Sequence, residues 1–231
     1  ELFKRLGFTL EKARTFSFIS NNDRFGWYQG KNGLWHLCLF VEGGRICDTE
    51  KSRLRTALNI IAEKYQTEFI ITGNQNLIIS QVRDTDKIKI NAILKKHTGM
   101  HKYSGIRQHS LACVAMNTCP LAFAEAERYL PSLIDKIDII LNEKGLQDVP
   151  INIRMTGCPN GCARPYLGEI GLVGRVLGKY NIYLGASHTG MRLNYLYKEM
   201  ADEQTILETL SGMFNDPPAI TIHPLTQTLC I

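Results

Sequence analysis

Four of the seven cysteines fall into two close pairs. Cys113 and Cys119 are spaced C-x5-C, Cys158 and Cys162 are spaced C-x3-C, and 38 residues separate the inner members. Four thiolates gathered by a fold make a soft sulfur cage, the donor set of iron–sulfur clusters and of zinc. Zinc knuckles mostly run C-x2-C or C-x4-C, which neither pair matches. Pro120, Gly157, Pro159 and Gly161 crowd the thiols with residues that fill cores poorly, although free cysteines are often simply buried. The odd total argues against a complete disulfide framework. Cluster ligation leads on spacing, with zinc, disulfides and inert thiols left open.

The elements that must position these thiols belong to a chain of 231 residues, one large domain or two small ones. Apolar residues make up 44 % and charged residues 21 %, as in ordinary globular proteins. The net charge of +5 is modest and no dense Lys/Arg run points to nucleic acid. No apolar run approaches 18 residues and no signal peptide opens the chain, so a membrane-free, cytoplasmic protein is expected. The chain starts at Glu1 in mid-pattern, which suggests a piece of something longer.

An amphipathic start at 1–6 and a linker-like stretch at 12–20 form a lead-in over 1–21. Two β patterns, 25–29 and 34–41, flank a Gly30-to-Gly33 turn and read as a hairpin. From Lys51 to Tyr65 the period becomes helical, with Leu54, Leu58, Ile61 and Tyr65 on one face. Two short strands follow at 68–72 and 76–80. A second helix is capped by Asp84 or Thr85 and buries Ile88, Ile93 and Leu94. This order predicts an α+β layer with helices on one sheet face. His36, His97, Cys38 and Cys47 sit on it as structural residues.

A boundary is expected within 97–105. Pro120 should open a helix running to Leu130, Pro131 should kink or restart it, and Gly145 should end the next apolar face. That would set the first cysteine pair at a helix N-terminus, a favourable place for an anionic cage. Residues 151–155 alternate like a strand leading to Cys158, further strands are expected at 170–176 and 181–184, and a last helix at 202–214.

Three segments then resemble one family, the siroheme nitrite and sulfite reductases, and within it the sulfite reductase hemoprotein. They are Thr118 to Pro131, Arg154 to Pro165 (reading RMTGCPNGCARP) and Glu169 to Gly174. Gly26-Trp27, Trp35 to Leu37, Thr72 to Leu77 and Gly178 to Gly185 extend the likeness to roughly residues 20–210. The resemblance implies a C-terminal half: a ferredoxin-like half-domain over 22–100, then a siroheme and 4Fe-4S binding α+β domain over 107–214. The Pro-rich tail at 215–231 departs from it.

By that resemblance Cys113, Cys119, Cys158 and Cys162 hold a 4Fe-4S cluster, and Cys162 also bridges to the siroheme iron. The implied reaction is six-electron reduction of sulfite to sulfide. Electrons would come from a flavoprotein subunit or ferredoxin, with 179–199 leaning toward the NADPH-linked form. The residues that grip sulfite and supply protons would belong to the N-terminal half, so no catalytic side chain is assigned here and residues 1–231 alone are expected to be inactive. Arg107, Arg154, Arg164 and Arg175 are candidate partners for siroheme carboxylates, since guanidinium pairs bidentately with carboxylate. Arg164 leads, and Arg154 and Arg175 read equally well as solvated strand ends. Asn160 lies inside the cysteine loop, facing a cofactor or serving the turn. Siroheme nitrite reductase, a cluster module without siroheme, and a zinc-stabilised binding domain are the alternatives.

Overall fold

Alternation of apolar residues builds the first sheet. Strand β1 (Gly26–Gln29) pairs antiparallel with β2 (Trp35–Leu39), and Gly33, at φ 79°, supplies the left-handed residue of the turn. Strands β3 (Glu68–Ile71) and β4 (Leu77–Val82) complete a four-stranded antiparallel sheet in the order β1-β2-β4-β3. Leu37, Leu77, Ile79 and Val82 share one face and pack on Ala57, Leu58 and Ile61 of α1 (Leu54–Lys64) and on Ile90 and Leu94 of α2 (Asp84–Thr98). The computed structural model describes residues 4, 5, 7, 8, 11–99 and 102–215; the expected N-terminal amphipathic turn lies largely, and the tail after 215 wholly, outside them.

After a short helix α3 (Gly105–Gln108), the second lobe consists of β5 (Ser110–Ala112), α4 (Leu130–Glu143), β6 (Ile153–Thr156), β7 (Ile170–Val176), β8 (Lys179–Leu184), β9 (Tyr195–Ala201) and α5 (Glu203–Met213). The sheet order is β5-β6-β7-β8-β9; the first three strands are parallel and the rest antiparallel. Leu133, Ile134, Ile137 and Leu141 of α4 lie against Ile153, Met155, Leu172 and Ile182, all at most 1 % exposed. Mixed α+β architecture with two sheets is thus as expected.

Three local expectations fail. No helix runs from Pro120 to Leu130; the segment is a series of turns. Its backbone is recruited elsewhere: Phe123 and Ala124 N–H groups donate to the Gly157 carbonyl (2.8 and 3.1 Å), and Glu127 N–H to that of Cys113 (3.1 Å). Those bonds replace the i→i−4 ladder, so the helix-dipole argument for the first cysteine pair lapses. Pro131 restarts the chain as a helix, one of its two expected outcomes, and sits in the first turn of α4, whereas Ile88 of α2, expected inside, is 81 % exposed. The cap of α2 is Arg83, with Asp84 and Asp86 inside the first turn near the positive dipole end. Strands β5 and β9 carry no sequence signal. The first is three residues long, and the second is an edge strand exposed from Tyr195 to Met200, so it does not alternate.

Polar contacts join the lobes. Gln75 Nε2 donates to the Ala112 carbonyl (2.8 Å), and Arg45 forms a two-pronged pair with buried Glu127. Arg107 reaches Glu42 (2.6 Å), Asp135 and Asp138. Within the first lobe, Asp23, just before β1, accepts from Thr72, Asn74 and Asn76.

Candidate metal centre

Parallel pairing decides where the thiols go. In β5 and β6, Ala112 faces Met155, so both strands end at the same level of the sheet. Cys113 follows Ala112 directly, its N–H bonded to the Met155 carbonyl (3.1 Å), and Cys158 comes two residues after Thr156. The carboxyl ends of adjacent parallel strands are a recurrent ligand position. The two pairs therefore meet at one end of the second sheet.

The segments are tied to each other through Gly157. Its N–H donates to Cys113 Sγ (3.3 Å) and its carbonyl takes the bonds from Phe123 and Ala124. A Cβ there would stand 2.5 Å from the Ala124 carbonyl oxygen and 2.8 Å from Ala115 Cβ. The Cys113–Cys119 loop closes by Cys119 N–H to the Ala115 carbonyl (2.7 Å), with Ala115 at φ 45°. Arg128 braces the same loop through the carbonyls of Met116 and Val114 and the Thr118 hydroxyl.

Exposure divides the four thiols. Cys158 is buried, Cys113 and Cys119 are half-buried, and Cys162 is exposed. Burial pushes the Cys113 thiol up, backbone N–H groups of Gly157 and Ala115 pull it down, and negative charge on Cys162 and Cys158 pushes it further up. Cys158 and Cys162 thus both lie within electrostatic reach of Cys113. All six described cysteines are free thiols.

An all-sulfur donor set on two facing loops fits an iron–sulfur cluster. Each cubane iron takes one thiolate, so four such sulfurs stand farther apart than the ligands of one ion. No three His, Cys, Asp or Glu side chains converge as ligands of a single ion among the described residues. For a carboxylate-rich macrocycle the fitting groups are arginines with open donors. Arg154 is one: it is no solvated strand end but 3 % exposed, with Nε and Nη1 buried and unpartnered. Burial first and then neighbouring Arg164 lower its pKa, with Asp23 opposing, to about 10. It borders a small polar cavity of about 10 Å³ shared with Asp23, Asn76, His109 and Asn152, room for about one water.

The other candidates are placed differently. Arg175 is exposed at the end of β7, near Tyr166. Arg107 is saturated by its three carboxylates and is not open to a ligand. Arg164 is exposed in a left-handed conformation (φ 54°) and donates to the Gly73 carbonyl and Asn74 Oδ1, bridging to the first lobe. Asn160 is exposed at the tip of the cysteine turn. Two residues that organise the centre escape sequence reasoning, Arg128 and Asn194. Arg128 lies inside a family-like segment, but only the fold shows the carbonyls it binds. Asn194 has no sequence signal.

A buried guanidinium without partners is an energetic burden until a ligand meets it. Arg154→Met should therefore leave the metal-free fold as stable as before, or stabler by about 1–4 kcal/mol. Urea denaturation of the two chains reads this, and a loss of several kcal/mol would mean that Arg154 has a structural partner.

Residues 28–97 match the family described as the nitrite/sulfite reductase ferredoxin-like half domain. The chain is 53 % identical over 218 residues to the sulfite reductase (NADPH) hemoprotein beta-component of Leptospira biflexa, a match covering 93 % of this chain and 39 % of that one. It is 53 % identical over 213 residues to the protein of the same name from Anoxybacillus flavithermus, covering 91 % and 37 %. The solved structure of Mycobacterium tuberculosis NirA superposes with a TM-score of 0.73 at 21 % identity, covering 93 % of this chain and 41 % of that one, a likeness of fold. The chain spans about two fifths of the length of the curated relatives it matches.

Proposed function

We propose that this chain, which belongs to the nitrite and sulfite reductase family, acts as the C-terminal, cluster-holding part of a sulfite reductase hemoprotein. Cys113, Cys119 and Cys158 would each hold one iron of a 4Fe-4S cluster, and Cys162 would hold the fourth and also serve the siroheme iron. The observation that carries this reading is the meeting of both cysteine pairs at the ends of β5 and β6, with Cys158 buried and Cys162 exposed. A thiolate that serves two metals must present its second face outward, and Cys162 is the exposed one.

Siroheme, when bound, would supply the redox iron for reduction of sulfite, in which six electrons and six protons give sulfide and three waters. The chain's own residues do the rest of what falls to this lobe. The Gly157 N–H donates to Cys113 Sγ, a hydrogen bond of the kind that raises a cluster's potential. Arg154 and Arg175 offer guanidinium groups to macrocycle carboxylates, while Arg164 keeps the cysteine turn docked on the first lobe. The groups that grip sulfite and supply protons are assigned to the part of the hemoprotein outside this sequence, so residues 1–231 alone turn over no sulfite. The electron donor in this reading is a flavoprotein subunit fed by NADPH, with ferredoxin second. Six free thiols suit a reducing compartment such as the cytoplasm, and no described helix is long and apolar enough to cross a membrane.

Replacing Cys113, Cys119 or Cys158 singly by Ser in the full-length hemoprotein should strip most of the cluster iron and labile sulfide, since each thiolate holds one iron. Iron and sulfide analysis reads this. A variant with full cluster content removes that residue from the ligand set.

A further inference from the structure

The turn after Cys158 is not self-supporting. Arg164, two residues past Cys162, sits at φ 54°, a conformation that costs a non-glycine residue energy and persists only when its surroundings enforce it. Local bonds from Arg164 N–H to the Gly161 carbonyl (2.7 Å) and from Leu167 N–H to the Arg164 carbonyl (3.0 Å) supply part of that. The remainder comes from a loop distant in sequence.

Asn194 lies just before β9 and is 7 % exposed. Its Nδ2 donates to the carbonyls of Pro165 and Gly168, both at 2.8 Å, and its backbone N–H donates to the Tyr166 carbonyl at 3.0 Å. One residue thus satisfies three carbonyls of a four-residue turn. Gly171 beneath leaves the space for it, since a Cβ there would stand 2.8 Å from Asn194 Nδ2 and 2.4 Å from the Pro165 carbonyl oxygen. The held turn in turn holds the cysteines: the Tyr166 ring and Pro165 Cδ lie 3.3 and 3.5 Å from where a Gly161 Cβ would be. Tyr166 is itself fixed edge-on to Tyr183, with ring centroids 5.1 Å apart.

We propose that Asn194 is a positioning residue for the Cys158–Cys162 turn, and so for the thiolate of Cys162. The geometry of the turn stands by itself; its bearing on a cluster rests on the function proposed above. Asn194 acts through Pro165, Tyr166 and Gly168, not by touching a metal. The rest of its loop is anchored independently, through Arg192 to the Gly185 carbonyl (2.8 and 3.1 Å) and through buried His188 to Glu169 (3.2 Å).

The test uses the full chain with iron removed, and reads alkylation of Cys158 by iodoacetamide. Asn194→Ala removes two donors from buried carbonyls and should speed Cys158 alkylation about 10-fold. Asn194→Ser keeps a single donor and should fall between; it carries the test if the Ala variant does not fold. Arg192→Ala loosens the same loop elsewhere, so it should lower the unfolding midpoint yet leave the Cys158 rate unchanged. In the iron-loaded hemoprotein, Asn194→Ala should release iron to a chelator about 10- to 100-fold faster. Unchanged Cys158 rates in both Asn194 variants overturn the proposal. So does an Arg192→Ala chain of equal stability that reacts as fast as Asn194→Ala. If the wild-type hemoprotein holds no cluster, the cluster reading fails while the alkylation rates still judge Asn194.

Discussion

Cys162→Ser should separate the two cofactors. Three thiolates remain for the cluster, and an oxygen ligand can take the fourth iron, so a distorted cluster is expected to persist in part. The proposed sulfur bridge to siroheme would not persist. Sulfite turnover in the full-length hemoprotein should therefore fall below detection while much of the cluster iron remains. Cys158→Ser should differ in kind, because Cys158 is buried within the turn and in the proposed assignment holds cluster iron alone. It should lose the cluster and, with it, everything that depends on the cluster. If Cys162→Ser keeps turnover, or if the two variants behave alike, the bridge has been placed on the wrong cysteine.

Gly157→Ala should be nearly as damaging although it changes no ligand. Gly157 is packed tightly between the cysteine segments and β7: a Cβ on it meets the Ala124 carbonyl oxygen at 2.5 Å, and a Cβ on Gly174 would stand 2.6 Å from the Gly157 carbonyl oxygen. Backbone atoms cannot rotate away as a side chain can, so the added methyl must push the two cysteine loops apart. Overpacking of this type costs about 1–3 kcal/mol, and here the strain falls on the Gly157 N–H that donates to Cys113 Sγ. Lower stability by urea denaturation and loss of cluster iron are both expected. Gly212→Ala is the control. It lies in α5 with nothing within 4 Å of its would-be Cβ, and should be neutral or slightly stabilising. Full cluster content in Gly157→Ala would show that the loops tolerate separation.

Much of this fold was legible because its signals are local. Gly30 to Gly33 between two β patterns gives the first hairpin, and the 3.6-residue period over Leu54, Leu58 and Ile61 gives α1. What stayed hidden depends on contacts distant in sequence. Residues 121–129 read as helix by composition, yet their N–H groups bond to Gly157 and Cys113, more than 10 residues away along the chain in each case. Strand β9 is written by its pairing with β8, not by its own exposed residues.

The site divides in the same way. Spacing and neighbouring Gly and Pro single out the four cysteines, but only the parallel register of Ala112 with Met155 brings both pairs to one end of the sheet. Among the arginines, sequence has no means of separating roles. Arg107 is consumed by three carboxylates, Arg154 is buried with open donors, and Arg164 spans the lobes; each depends on residues tens of positions away. Asn194 is the extreme case, an unremarked Asn whose amide closes a turn nearly thirty residues before it.

The most direct test of the central claim is a Mössbauer spectrum of the iron-57-enriched, full-length hemoprotein that contains this chain. Two metals sharing the Cys162 thiolate cannot be magnetically independent. The account predicts cluster irons that show magnetic splitting imposed by the siroheme iron, and loss of that splitting in Cys162→Ser. A spectrum of an uncoupled cluster beside an isolated siroheme, or coupling that survives Cys162→Ser, would contradict it.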